Sequence, residues 1–304
     1  MKDQSFHVET IEAQKLGHEN LVFKGICCPI FNVLRFMTST SLLLALNGMM
    51  VVIFGFILYR FTIVPPLLLA AFLVTLGVYS LNKVTDKAED AVNRPETLQR
   101  SSNRYLVFSV ISMITGFLIG LLEGVTAFII LFSPVVIGVI YSVKISKSIP
   151  RLKEIVGVKS LVIAGSWAIT GCLLPESISA EKLQATIIIF VYIFIRVLVG
   201  AILCDVLDNK GDLASGIQTI PTKIGKSKTK KLLILMNSFE LLLLVYCILT
   251  GMFIQFIPAL IFGVLYGYLA IWFFFKDSCK RFTAGLMLDG EWLPIVIIVC
   301  LIIR

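Results

Sequence analysis

Charge is scarce in this 304-residue chain: Asp, Glu, Lys and Arg together make up 15% of it, where soluble domains carry roughly a quarter. Hydrophobic residues make up 58%. A water-soluble fold of this length cannot hide that much apolar surface, so the bilayer is its natural solvent. Histidine is almost missing, with only His7 and His18. The seven cysteines (Cys27, Cys28, Cys172, Cys204, Cys247, Cys279 and Cys300) form no CxxC pair and no Cys/His cluster. That spacing argues against a zinc site and against a disulfide scaffold. Scattered thiols in apolar helices are packing residues.

What remains is long apolar runs. A membrane-spanning helix needs about 20 mostly apolar residues. Nine segments qualify approximately, at 37–59, 62–82, 105–122, 124–142, 158–175, 184–204, 232–250, 255–275 and 285–303. The ninth is interrupted by Asp289, Gly290 and Glu291. The expected fold is all-α: about nine transmembrane helices around a central cavity. Residues 1–30 are polar and mixed in charge. They predict no cleavable signal peptide and read as an N-terminal interfacial helix or tail, leaving 31–304 as the transmembrane domain.

Loop charge orients the spans. With a cytoplasmic N-terminus, the loops after spans two, four, six and eight carry five, five, six and three basic residues. The opposite loops hold only Arg60 and Lys182. This asymmetry predicts motif loops on the cytoplasmic side. The net charge of +8 is then accounted for by basic loops facing anionic membrane lipid, with no call for nucleic acid. No obligate protein partner is inferred.

Two acidic motifs follow even-numbered spans, so they share one membrane face. In the first, Asn82, Asp86 and Asp90 are four residues apart, one face of a helix over successive turns. In the second, Asp205, Asp208 and Asp212 stand at i, i+3 and i+7, again read as one face. Stacked like charges destabilise a helix. Neighbouring lysines offset that repulsion, and a divalent cation offsets it more strongly. Oxygen-only ligands point to Mg²⁺. Solvated loop carboxylates are the plain alternative, and the pairing of two motifs on one face weighs against it.

The second stretch reads D-x-x-D-x-x-G-D-x-x-x-G-x-x-T-x-P-x-x-x-G, through Asp205, Asp208, Gly211, Asp212, Gly216, Thr219, Pro221 and Gly225. It resembles the second Asp-rich motif of the UbiA superfamily of intramembrane prenyltransferases. The first stretch, with Asn93-Arg94-Pro95 after it, is similar to that family's first motif. Tyr141-Ser142 with Lys144, Lys147 and Lys153 resembles its segment after span four. The likeness covers roughly 32–304. Lys83 stands where the family usually has Asp, and the Arg-Pro-Leu-Pro tail is absent.

The resemblance implies Mg²⁺-dependent transfer of a prenyl group from a prenyl diphosphate to a lipophilic acceptor through an allylic carbocation. Asp86, Asp90, Asp208 and Asp212 would be catalytic, and Asn82 and Asp205 would join them as metal ligands. Candidates for the diphosphate are Asn82, Arg35, Arg94, Tyr141, Lys144, Lys147, Lys153 and Asp205. The acceptor is an aromatic or quinone precursor, or alternatively a glycerol-phosphate ether, as in digeranylgeranylglyceryl phosphate synthase. A cation transporter is a remote alternative. It wants ionisable groups deep in the spans, where Arg196 and Glu240 are the main charges. Arg196 is expected to face the bundle or a cavity.

Overall fold

A computed structural model of the chain describes residues 29, 31–85, 103–142, 155–178, 183–214, 216–276 and 279–303. The described residues are helical, with no strand. The helices are α1 (Leu42–Tyr59), α2 (Pro65–Thr85), α3 (Asn103–Glu123), α4 (Val125–Ser142), α5 (Val158–Glu176), α6 (Leu183–Ala214), α7 (Ile220–Thr250), α8 (Ile257–Phe274), α9 (Arg281–Asp289) and α10 (Trp292–Ile303). A helical segment at 31–39 leads into α1. Among the described residues, eight segments are long and apolar enough to cross a membrane when α9 and α10 are counted together. A shorter apolar helix, Val125–Gly138, lies in α4. The protein is an integral, multi-pass membrane protein.

Each helix packs on the next in sequence from α1 to α8, and α10 closes the ring by packing on both α8 and α1. α1 also touches α5 and α6. Between membrane helices there is little hydrophobic drive, so close packing of small residues holds them. The tightest pair, α2 and α3, shows this: the buried residues of α3 are Ser109, Ser112, Gly116 and Gly120. Ser109 Oγ donates to the Gly77 carbonyl of α2 at 2.6 Å. At the α1–α5 crossing, a side chain on Gly55 would run into the Gly171 carbonyl, and one on Gly171 into Val51.

Two boundaries differ from the sequence expectation. α6 runs on ten residues past the expected span end at 204, which makes the second acidic motif helical. Its carboxylates are each met by a cation from a neighbouring helix, described below, which removes the repulsion that would unwind it. The last span is broken at Gly290–Glu291. The break is stitched by Asn47 of α1, whose amide donates to Leu288 O at 3.4 Å and accepts from Trp292 N–H at 2.9 Å.

Candidate active site

The ends of α2 and α6 and the starts of α1, α5 and α9 meet at one end of the bundle. Lys83 Nζ of α2 donates to Ser39 O, just before α1, at 2.7 Å. Phe31 and Phe282 pack ring to ring at 4.7 Å. These contacts bring the described helix ends together at a single end of the bundle. The far end is different in chemistry. There Arg60 donates to Gln255 Oε1 at 2.7 Å, and a cavity of about 320 Å³ lined by Tyr59, Arg60, Phe253 and Phe256 has no carboxylate in its wall among the described residues.

The second motif is built by local backbone rules. α6 terminates with Gly216 N–H donating to Leu213 O at 3.3 Å and Ile217 N–H to Asp212 O at 2.9 Å. Gly216 lies at φ +73°. This is a Schellman termination, with glycine at the left-handed position. The four-residue step from Asp212 to Gly216 therefore fixes where the helix stops. Thr219 then caps α7: its N–H donates to Thr222 Oγ1 at 2.8 Å, and Pro221 sits in the first turn, where its missing N–H costs nothing. Gly225 at φ 78°, ψ 161° kinks the start of α7. A second cavity of about 320 Å³ opens against this turn, lined by Leu213, Gly216, Ile217, Gln218, Thr222 and Lys223.

The three carboxylates of α6 do not share one face as fully as the sequence suggested. Asp205 and Asp212, seven residues apart, both turn to α5. Lys159 Nζ is 3.2 Å from Asp205 Oδ1 and 4.0 Å from Asp212 Oδ1. Asp208 turns instead to α9 and forms an ion pair with Arg281. At 100° per residue, a step of seven nearly closes two turns while a step of three falls 60° short of one. Asp205, expected among the metal ligands, is buried with both oxygens engaged, Oδ1 by Lys159 and Oδ2 by Ser160 Oγ at 2.8 Å.

The first motif is described only to its beginning. Asn82 is exposed in the last turn of α2. Arg35 is exposed in the 31–39 segment at the same end. Tyr141 falls in the last turn of α4. Asp86, Asp90, Arg94, Lys144, Lys147 and Lys153 lie outside the described residues. Among the described residues no group of three acidic, His or Cys side chains forms a metal site.

Sequence reasoning missed Lys159, Ser160 and Arg281 as site residues. It also missed an aromatic bridge. α2 and α5 make little backbone contact, yet Trp167 Nε1–H of α5 donates to the Tyr79 hydroxyl of α2 at 3.0 Å. Tyr79 is three residues before Asn82, and Trp167 seven after Ser160, so each shares a helix face with that residue. The bridge thus joins α2 to α5. Burial pushes the thiol of Cys279, just before α9, up from the ordinary value.

Comparison with known proteins places this architecture. A sequence model of the UbiA prenyltransferase family matches residues 41–286. The chain belongs to that family. Among solved structures, it resembles a UbiA homolog from Archaeoglobus fulgidus bound to DMAPP and Mg²⁺, with a TM-score of 0.62 at 16% identity over 88% of this chain and 96% of the other. A structure reported for digeranylgeranylglyceryl phosphate synthase matches with a TM-score of 0.53 at 18% identity, again over 88% and 96%. In sequence, the chain is 31% identical over 169 residues to the digeranylgeranylglyceryl phosphate synthase of Methanothrix thermoacetophila. That match spans 53% of this chain and 58% of the relative's length.

Proposed function

We propose that this UbiA-family protein transfers a prenyl group from a prenyl diphosphate to a lipophilic acceptor within the membrane, with its motif loops cytoplasmic. The observation that carries the reading is the second motif: three carboxylates on one helix end, closed by a Schellman turn and flanked by Lys159 and Arg281.

The residues fit Mg²⁺. The donor set is carboxylate and amide oxygen alone, which suits a hard cation. Asp208 and Asp212, together with Asn82, Asp86 and Asp90 of the first motif, are the residues that would hold it. When bound, Mg²⁺ supplies positive charge for the diphosphate. The chain's own residues do the rest. Lys159, oriented by the buried Asp205, keeps a cation beside Asp212. Arg35, Arg94, Lys144, Lys147, Lys153 and Tyr141 are the remaining candidates for the phosphate oxygens. The rings of Tyr79 and Trp167, 6.3 Å apart, offer π faces to an allylic cation one to two helical turns inside the motif level.

For the acceptor, the Methanothrix relative favours a glycerol-phosphate ether. An aromatic or quinone precursor is the second reading. Incubation of the purified protein with labelled geranylgeranyl diphosphate and either a geranylgeranylglyceryl phosphate or a panel of aromatic acids, with Mg²⁺ and with EDTA, tests both. A Mg²⁺-dependent diether product is the expected result. Product only with an aromatic acceptor would favour the second reading, and none with any acceptor would remove the proposal.

A further inference from the structure

We propose that Glu240, buried within the spans, is a proton-binding site, and that its proton neutralises the cluster it forms with Arg196 and Glu291. This proton lies away from the acidic motifs and does not depend on the prenyl-transfer reading.

Two carboxylates meet one guanidinium here. Arg196 of α6 and Glu240 of α7 both stand inside apolar spans, and Glu291 sits at the break between α9 and α10. All three are buried, Glu240 completely, at 0% exposed. Arg196 donates through Nη1 to Glu240 Oε2 at 3.2 Å and through Nη2 to Glu291 Oε1. Among the described residues neither carboxylate pairs with another cation. The neighbouring phenols, neutral at physiological pH, add no charge: Tyr192 of α6 donates to Leu260 O at 3.4 Å, and Tyr266 of α8 to Met287 O at 2.7 Å. The cluster is left with one negative charge in excess. An uncompensated charge at such a depth is costly, and a buried carboxyl group relieves it by taking up a proton.

Hydrogen bonding singles out Glu240 as the group that takes it. Its Oε1 is buried and has no donor among the described residues. Asn237, three residues earlier, shares that face of α7 and is also fully buried. Its amide nitrogen donates to Val264 O at 3.0 Å, while its Oδ1 has no donor among the described residues. Buried acceptors left in this state are rare and expensive. A proton on Glu240 Oε1 turns one of the two into a donor and removes the excess charge at the same time. A metal ion does not suit the seam. A side chain at Gly263 would run into the Tyr192 hydroxyl, and one at Gly267 into Asn237 Oδ1. Where α7 and α8 leave no room for a methyl group, they leave none for a coordinated cation, and a proton needs none.

Infrared difference spectra of the full chain, purified in an ester-free detergent at neutral pH, test the proton directly. The spectrum of wild type minus Glu240→Gln should carry the carbonyl stretch of one protonated carboxylic acid. Wild type minus Glu291→Gln should carry the same band, because the one carboxylate left then balances Arg196 in its ionised form. Melting temperatures in the same detergent assign the proton to its residue. An amide is a close copy of a protonated acid, so Glu240→Gln should melt within about 4 °C of wild type. Glu291→Gln breaks the other pair and drives the proton off Glu240, so it should melt lower. If both carboxylates are ionised in wild type, neither difference spectrum carries the band, and the proposal falls. The reverse order of melting temperatures, or a Glu240→Gln chain that fails to fold, would overturn the assignment to Glu240.

Discussion

Arg196 of α6 forms an ion pair with Glu291 at the break between α9 and α10, 95 residues further along the chain. The same guanidinium sits 3.2 Å from Glu240 of α7 and donates to the Gly263 carbonyl of α8. All three charged groups are buried. Arg196 lies nine residues before Asp205, which is half a turn out of phase, so it faces away from the motif side of α6. This cluster fastens the helices behind the site. Gly263 and Gly267 make the approach close: a side chain at Gly263 would meet the Tyr192 hydroxyl, and one at Gly267 the Asn237 amide.

One cation is shared by two carboxylates, which predicts unequal mutants. Arg196→Met strands two buried charges and should cost about 3–5 kcal/mol of stability. Glu240→Gln leaves the Arg196–Glu291 pair balanced and should cost much less. Thermal unfolding in detergent, followed by tryptophan fluorescence, ranks them. Equal melting temperatures for the two variants would contradict the shared-cation arrangement.

Asn47 predicts a second, independent loss. Its amide closes the helix break by serving Leu288 O and Trp292 N–H at once. Asn47→Leu fills similar volume and leaves the Trp292 N–H buried without its acceptor, at about 1–3 kcal/mol, while Leu288 O keeps the Glu291 N–H at 3.3 Å. The same melting assay should show a clear drop. Hydrogen exchange should rise locally at residues 288–293, while the motif end of α6 stays protected. Uniform loosening of the whole bundle would argue that Asn47 does something other than stitch the break.

Much of this was legible in the sequence. The apolar runs gave the spans because a bilayer admits little else. The Asp-Gly-Thr-Pro spacing was recognisable as a motif, but its meaning as a Schellman stop and a capped restart came only with the backbone. Periodicity alone did not separate the carboxylates, since Asp208 stands about 60° from Asp205 and about 40° from Asp212 around the helix. Lys159 and Arg281 looked like ordinary loop cations because their partners are distant in sequence: Arg281 and Asp208 meet only through the docking of α9 on α6. Glu291 read as an interruption of an apolar run, and its reason, Arg196, lay 95 residues away.

Orientation gives a third prediction. Lys223, beside the motif turn, and Arg60, at the far end, should label from opposite sides of the membrane. Single-cysteine variants Lys223→Cys and Arg60→Cys in a cysteine-free background can be treated with a membrane-impermeant maleimide on intact cells. Labelling of Arg60→Cys but not of Lys223→Cys is expected, with Lys223→Cys reacting only after lysis. The reverse pattern would put the motif loops outside the cell.

The fourth prediction separates the carboxylates of the second motif by role. Asp208 is the less buried, with its side chain 15% exposed, so Asp208→Ala should abolish prenyl transfer with little change in melting temperature. Asp205 is buried against α5, with both oxygens engaged by Lys159 and Ser160. Its removal leaves a hydroxyl and an ammonium without their acceptor in the core of the α5–α6 contact. Asp205→Ala should therefore lower stability, by about 3–5 kcal/mol if the lost ion pair dominates. Asp205→Asn can still accept from one donor and should recover part of that loss. Activity should follow the same division: Asp208→Ala folded and inactive even at high Mg²⁺, Asp205→Asn folded and partly active with a Mg²⁺ requirement close to wild type. A steep rise in the Mg²⁺ requirement of Asp205→Asn, with stability unchanged, would return Asp205 to the metal ligands.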